Sequence, residues 1–298
     1  MFRKRFWKNF DWILFGVMVL LVVIGLIVIY ATSFKATKLV GLTDVWHQLA
    51  FGIVGLGVFG FMARTDYRTW YKMVPWVYGV TLLLLVIVLL SSRAVLGAQR
   101  WIDLGFFQFQ PSEFAKLVLI VLLAKFFAEH YDQMHRLRYL AISLAYVAVP
   151  VALVVKQPDL GTALVLMAIW AAMALVAPVR RLYLVAMGAI GVAMLPFILS
   201  HLKAYQRDRL TIFLNPQIDP LGAGHNVIQS TITIGSGQLF GRGLAAGSQT
   251  QLNFLPSLAQ HTDFIFAVLN EKLGFVGGTL LIVLFGVLLW RGLRIAYT

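Results

Sequence analysis

The run "WILFGVMVLLVVIGLIVIY", residues 12–30, contains no charged side chain. Coiled as a helix rising about 1.5 Å per residue, it is about as long as the hydrocarbon core of a bilayer is thick. The basic segment "MFRKRFWKNFDW" leads into it. The run is also longer than the roughly 7–15-residue apolar core of a secretory signal. It therefore reads as an uncleaved first membrane span.

Runs of this kind recur, and eight spans are predicted at 12–31, 45–63, 73–91, 112–128, 138–155, 160–177, 182–200 and 274–290. Composition agrees. Of 298 residues, 60% are hydrophobic and only 12% charged, against about 25% charged in soluble domains, and the mean hydropathy is +0.83. The strand-length alternation of a membrane barrel is missing. The expected fold is thus one all-α polytopic membrane domain over residues 1–298. With no cysteine, disulfides, thiolate metal sites and a cysteine nucleophile are excluded. The formal charge of +13 is spread over short loops without interleaved aromatics, so it orients helices rather than binding nucleic acid.

That charge also predicts sidedness. With the N-terminus inside, the inner segments hold Arg3, Lys4, Arg5, Lys8, Arg64, Arg68, Lys72, Arg136, Arg138, Arg180, Arg181, Arg291 and Arg294. The outer loops hold only Lys35, Lys38, Arg93, Arg100 and Lys156, the expected positive-inside bias. Most acids gather on the opposite side: Asp44, Asp103, Glu113, Asp159, Asp208, Asp219, Asp263 and Glu271. The one long connection, about 201–261, is also outer. It is too long for a linker and reads as a folded extracytoplasmic loop before the last span.

The candidate chemistry lies on that outer side. "QHTDFIFAVLNEKLGF" (260–275) puts His261, Asp263, Glu271 and Lys272 at the edge of the last apolar run. Asp263 can cap the short segment 264–273, which Gly274 can end, or it can serve as a general base in an outward cleft beside His261. "FQPSEFAK" (109–116) and "KQPDLGTA" (156–163) echo one another as helix starts. Ser112 or Asp159 can cap them, and Glu113 suits the positive helix end. Lys116 is three residues beyond Glu113 on the same face, spaced for an ion pair one turn into the membrane; snorkelling to the surface is the plainer role. Arg207 and Arg209 flank Asp208 in "YQRDRLTIFLNP", either a solvated cluster or an anion clamp. "GSGQLFGRG" (235–243) lacks the spacing and the preceding strand of a nucleotide loop, and tight turns explain its glycines as well. There is no zinc-type histidine spacing, while carboxylates and substrate phosphates leave room for a divalent cation, Mg or Mn.

The segments "GAQRWIDLG", "FQPSEFAK", "QPDLGTA", "DPLGAGHNVIQS", "IGSGQLFGRGL" and "HTDFIFAVLNEKLG" together resemble the shape, elongation, division and sporulation (SEDS) family, to which RodA and FtsW belong. "HTDFIF" and the "RWIDLG" block bring the chain nearest the RodA branch. The resemblance implies a peptidoglycan glycosyltransferase polymerising lipid II at the outer face of the bacterial inner membrane, during cell elongation and shape maintenance. It also implies a growing glycan strand on undecaprenyl pyrophosphate as co-substrate, a class B penicillin-binding protein as partner, and association with the elongation machinery. On this resemblance Asp263 matches the essential carboxylate, Glu113 and Lys116 a buried ion pair, and Asp159 the acid of "QPDLGT". Trp101, Arg100 and Arg209 match as substrate-contacting positions, with Arg207 and His261 as neighbours.

Three departures stand out. The family has about ten spans, and this chain ends at Thr298 after the eighth, the pattern expected of a fragment or truncated product. "FLPSLAQHTDF" replaces "FLPE-x-HTDF", and "NEKLG" stands where "EELG" is commoner. The competing readings are a lipid II flippase, which calls for polar groups spread through the bilayer depth, and an inactive scaffold for the penicillin-binding protein.

Overall fold

Trp12–Thr32 (α1) is one uninterrupted helix, as its apolar run predicts. In the computed structural model of the chain, the described residues are 10–297 except 33, 36–37, 40–41, 91–100, 104, 106–107, 201–203, 223, 253 and 257–259. After α1 come Leu42–Arg64 (α2), Tyr67–Leu90 (α3), Pro111–Glu129 (α4), Leu137–Lys156 (α5), Leu160–Val176 (α6) and Arg181–Ser200 (α7). Ala204–Leu214 (α8), His225–Ser236 (α9) and the single turn Ser248–Gln251 (α10) follow. The last helix is Ile265–Tyr297 (α11), interrupted at Gly274. Two single 3-10 turns, Tyr131–Gln133 and Pro216–Ile218, and two small antiparallel hairpins complete the described elements, the hairpins being Phe34–Lys35 (β1) with Lys38–Leu39 (β2), and Ile102–Asp103 (β3) with Gln108–Phe109 (β4).

The chain is an all-α polytopic membrane protein. Among the described residues five helices, α1, α2, α3, α5 and α11, are long and apolar enough to cross a bilayer, and α6 and most of α7 are shorter apolar helices. The side chains of Val176 and Trp76 are 89% and 82% exposed. Such surfaces are costly in water and cost nothing against lipid. The predicted loop 201–261 contains α8, α9 and α10, so it has secondary structure of its own.

The chain divides into two compact units, Met62–His201 and Met1–Phe61 with Leu202–Thr298. In the first, α4 packs on α3, α5 and α6, around a core that includes Leu85, Leu119, Leu123, Val147, Leu166 and Trp170. Two buried polar bonds fix the register of these helices. Trp170 donates its indole N–H to the Ser143 hydroxyl at 3.0 Å, and the Gln157 amide donates to the Leu85 carbonyl at 3.0 Å. With no water in the bilayer core to replace them, such bonds have to be made within the protein.

In the second unit α11 packs on both α1 and α9. Val28 of α1 meets Leu255, Ala267, Val268 and Leu269 in its apolar core. Asp11 ties the two terminal helices together. Its Oδ1 accepts the Leu14 N–H at 2.9 Å, capping α1, and its Oδ2 accepts from Arg291 Nε at 2.9 Å. The Leu14 N–H, assisted by the Arg291 guanidinium, holds the Asp11 carboxyl below the usual carboxylate range. A carboxylate depressed on folding adds stability that is complete above its unfolded pKa of about 3.9 and disappears as pH falls through the lower folded value. Asp11→Asn therefore lowers the thermal midpoint in detergent at neutral pH. That gap from wild type closes under acid below the unfolded pKa, which differential scanning fluorimetry across pH measures.

Candidate active site

Asp263 sits in the turn Gln260–Phe264, immediately before α11. It is exposed, and among the described residues its carboxylate has no partner. The reading of Asp263 as a helix cap is thus not met by any hydrogen bond to its side chain among these residues. His261 lies in the same turn, partly buried. What is unusual is the ground beneath them. Gln260 is 2% exposed, and its amide donates to the carbonyls of Thr250 (3.3 Å) and Leu255 (3.1 Å).

Two turns further along α11 the chain buries Glu271 and Lys272, which are 0% and 1% exposed. Neither carries a contact role in the sequence-based reading, although both are named there. An isolated charge so placed would cost several kcal/mol. Both are instead satisfied by the segment 246–250. Glu271 Oε1 accepts the Gln249 N–H at 2.8 Å, and Oε2 accepts the Thr250 N–H at 3.2 Å and the Thr250 hydroxyl at 2.6 Å. Lys272 Nζ donates to the Ala246 carbonyl at 2.9 Å. Gly247 lies between them at φ 148°. A Cβ on it would sit 2.9 Å from both the Glu271 carboxyl carbon and Lys272 Nζ.

The break in α11 has the same logic. Gly274, at φ 70° and ψ −170°, leaves the helical path, so the carbonyls before it and the amides after it lose their intrahelical partners. The glycine-rich loop supplies them. Arg242 and Gly243 donate to the carbonyls of Glu271 (2.9 Å) and Lys272 (3.1 Å), while Phe275 and Val276 donate to those of Gln238 (2.8 Å) and Leu239 (3.1 Å). "GSGQLFGRG" is therefore a backbone splint for a broken helix. The sequence signal was the coincidence of this glycine cluster with adjacent opposite charges at positions 271 and 272, which diverge on a helix and need outside partners.

The other predicted residues are placed less uniformly. In the unit 62–201, Lys116 Nζ pairs with Glu113 at 2.7 Å, as their spacing predicts. The pair is not buried in this unit, however, since the Glu113 side chain is 56% exposed. The two Gln-Pro echoes prove different. Pro111 is the first residue of α4 after Gln110, whose side chain makes no cap bond; Ser112 instead accepts from the Gln110 amide at 3.0 Å. Gln157 ends α5, and Asp159 caps α6 by accepting from the Thr162 N–H and hydroxyl at 3.2 and 2.9 Å. Trp101 is 48% exposed beside the β3–β4 hairpin. Arg100 and Arg93 lie outside the described residues. Arg207 and Arg209 are exposed on α8 rather than in an open loop. Two residues apart on a helix they diverge by about 200°, so they do not form a joint clamp.

Among the described residues no group of three or more histidine or acidic side chains could hold a metal ion. Asp263 offers a single carboxylate, so a divalent cation there would be held jointly with the phosphates of a bound substrate.

Comparison with known proteins places these features. The sequence profile of the FtsW, RodA and SpoVE family, described as cell cycle protein, matches residues 11–298. The chain is 38% identical over 303 residues to stage V sporulation protein E of Bacillus subtilis, covering 96% of this chain and 79% of that protein. It is 38% identical over 301 residues to the peptidoglycan glycosyltransferase MrdB of Escherichia coli, covering 99% and 78%. Among solved structures it resembles the crystal structure of the rod shape determining protein RodA of Thermus thermophilus, with TM-score 0.65 and 27% identity over 96% of this chain and 74% of that one. It also resembles a chain from a peptidoglycan synthase complex studied for its coordination of polymerization and crosslinking, with TM-score 0.73 and 29% identity over 95% and 77%.

Two substitutions test the local roles. Gly247→Ala forces a methyl group against the Glu271 carboxylate and should destabilise the protein by about 1–3 kcal/mol, read as a lower thermal midpoint. Asp159→Ala should cost about 1 kcal/mol as a lost cap, whereas Asp159→Asn, which still accepts a hydrogen bond, should stay close to wild type.

Proposed function

The chain belongs to the FtsW, RodA and SpoVE family of cell cycle proteins, and we propose that it is a peptidoglycan glycosyltransferase that polymerises lipid II. One observation carries the reading: 38% identity across 99% of this chain to a protein named for that activity. The local geometry supports it, because an exposed carboxylate, Asp263, stands on a turn whose first residue, Gln260, is buried and holds two backbone carbonyls. The chain is a multi-pass membrane protein. In this reading it resides in the bacterial inner membrane, N-terminus in the cytoplasm, with Asp263 on the outer face.

The chemistry follows from the substrate. Lipid II is a disaccharide-peptide on a lipid pyrophosphate, so its tail stays in the bilayer while its sugars lie at the interface. Asp263 takes the proton from the 4-hydroxyl of the acceptor's N-acetylglucosamine. That oxygen attacks C1 of the N-acetylmuramic acid ending the growing strand. A C1–O bond forms to the acceptor, and the C1–O bond to undecaprenyl pyrophosphate breaks. The pyrophosphate leaves with the electron pair and the anomeric configuration inverts, through a transition state of oxocarbenium character. Charge growing on the pyrophosphate calls for a cation, a role proposed for Arg207 or Arg209 singly, since the two point apart on α8. His261 flanks the base, and within the unit 62–201 Glu113 orients Lys116. Asp159 contributes as the cap of α6. No step is routed through a metal ion.

The partner in this reading is a class B penicillin-binding protein that crosslinks the strands, within the elongation machinery. The likeness to a chain of a synthase complex supports it.

Asp263→Asn should reduce lipid II polymerisation at least a hundredfold, measured as glycan strands on gels with the partner present, while leaving the thermal midpoint unchanged. A folded Asp263→Asn variant that polymerises at the wild-type rate would remove Asp263 from the mechanism.

A further inference from the structure

A base that removes a hydroxyl proton has to be held within about 3 Å of it in the right direction, and a misplacement of about 1 Å can cost a hundredfold in rate. The Asp263 carboxylate makes no hydrogen bond or ion pair with a described residue, so among these residues it is the turn carrying it that sets its position. That turn is closed into a ring. Starting at Gln260, the chain runs through Asp263 and along α11 to Glu271. Glu271 holds the N–H and hydroxyl of Thr250 at 3.2 and 2.6 Å. The carbonyl of the same Thr250 accepts from the Gln260 amide at 3.3 Å, returning to the start. The three residues closing the ring are buried, at 0% for Glu271, 4% for Thr250 and 2% for Gln260. Water cannot stand in for any of these bonds without opening the fold.

We infer that Thr250, gripped on one side by Glu271 and on the other by Gln260, is the positioning residue that fixes the Asp263 turn relative to α11. This rests on Asp263 being the catalytic base. The geometry is specific. Of the polar groups of Thr250, the hydroxyl and N–H meet Glu271 and the carbonyl meets Gln260, so the residue bridges both ends of the segment 260–271. Gln260 has a second hold on the Leu255 carbonyl at 3.1 Å, and Leu255 is itself 0% exposed, in the apolar core with Ala267 and Val268. The turn is thereby tied at its N-terminal side to the same core that α11 packs into at its C-terminal side.

The bonds distinguish this role from simple packing. Thr250→Val keeps shape and volume but removes the hydroxyl, the shorter of the two Thr250 donors to Glu271, and leaves only the N–H at 3.2 Å. Thr250→Ser keeps the hydroxyl and loses only a methyl group. Gln260→Leu removes the grip on the Thr250 carbonyl from the other side. Two readouts are taken on the full chain in detergent with its partner: steady-state lipid II polymerisation, and amide hydrogen exchange of the peptide spanning 260–266. We expect Thr250→Val and Gln260→Leu each to lower kcat at least tenfold with KM for lipid II within twofold, and to speed exchange across 260–266 while exchange of α3 and α4 stays unchanged. Thr250→Ser should restore kcat to within threefold of wild type. The double variant should lose little more than either single one, because both break one linkage.

Wild-type kcat and unaltered exchange in folded Thr250→Val would overturn the inference. So would a loss that Thr250→Ser fails to restore, or a rise in KM with kcat preserved. Failure of the catalytic reading is separable: Asp263→Asn would then retain activity, whereas the exchange readout for Thr250 and Gln260 does not depend on turnover.

Discussion

Glu271 is a fully buried carboxylate that takes three hydrogen bonds from two consecutive residues of a distant loop. Breaking them leaves a charge with neither water nor partner, a penalty of about 3–5 kcal/mol for a typical buried pair. The chain avoids it only by folding the segment 246–250 against α11. Once that segment is in place, Lys272 finds the Ala246 carbonyl, Gly247 has to remain a glycine, and the loop 238–243 meets the break at Gly274. One carboxylate thus organises three pieces of chain distant in sequence, and the exposed Asp263 stands on what they build.

That division of labour suits a glycosyl transfer at a membrane surface. A base has to meet substrate, so it cannot be buried, yet an exposed side chain on an unsupported loop would wander. Here Asp263, the proposed base, is left open while Gln260 at the start of its turn is closed off by hydrogen bonds and the following helix by the apolar cluster of Leu255, Ala267 and Val268. In the unit 62–201 the polar chemistry is sparser. Glu113 and Lys116 pair on the first turns of α4, and Asp159 is occupied with capping α6. An acid in a recognisable motif can therefore be structural at the level of its own contacts.

Much of the fold could be read in the residues because lipid imposes a simple requirement. A long apolar run has to become a helix to satisfy its backbone, and α1 follows directly from residues 12–30. The start of α11 was harder. Its first turns carry Asn270, Glu271 and Lys272, so hydropathy places the run's beginning near Gly274, while the helix begins at Ile265. The ion pair at Glu113 and Lys116 and the cap at Asp159 were legible because both depend on spacing of three residues. For Arg207 and Arg209 a loop-like composition concealed the helix that turns them apart and rules out the joint clamp. The bridge through Thr250 was invisible, for it joins residues 10 and 21 positions apart and uses the Thr250 carbonyl and N–H as well as side chains, and backbone groups carry no sequence signature.

The role proposed for Asp263 is that of the carboxylate base in a glycosyl transfer. Chemical rescue tests it most directly: polymerisation of lipid II by Asp263→Ala is followed as formate or acetate is added. The account predicts an inactive variant that regains activity in proportion to the added carboxylate, with wild type unaffected. Wild-type polymerisation by Asp263→Ala without any added carboxylate would contradict it.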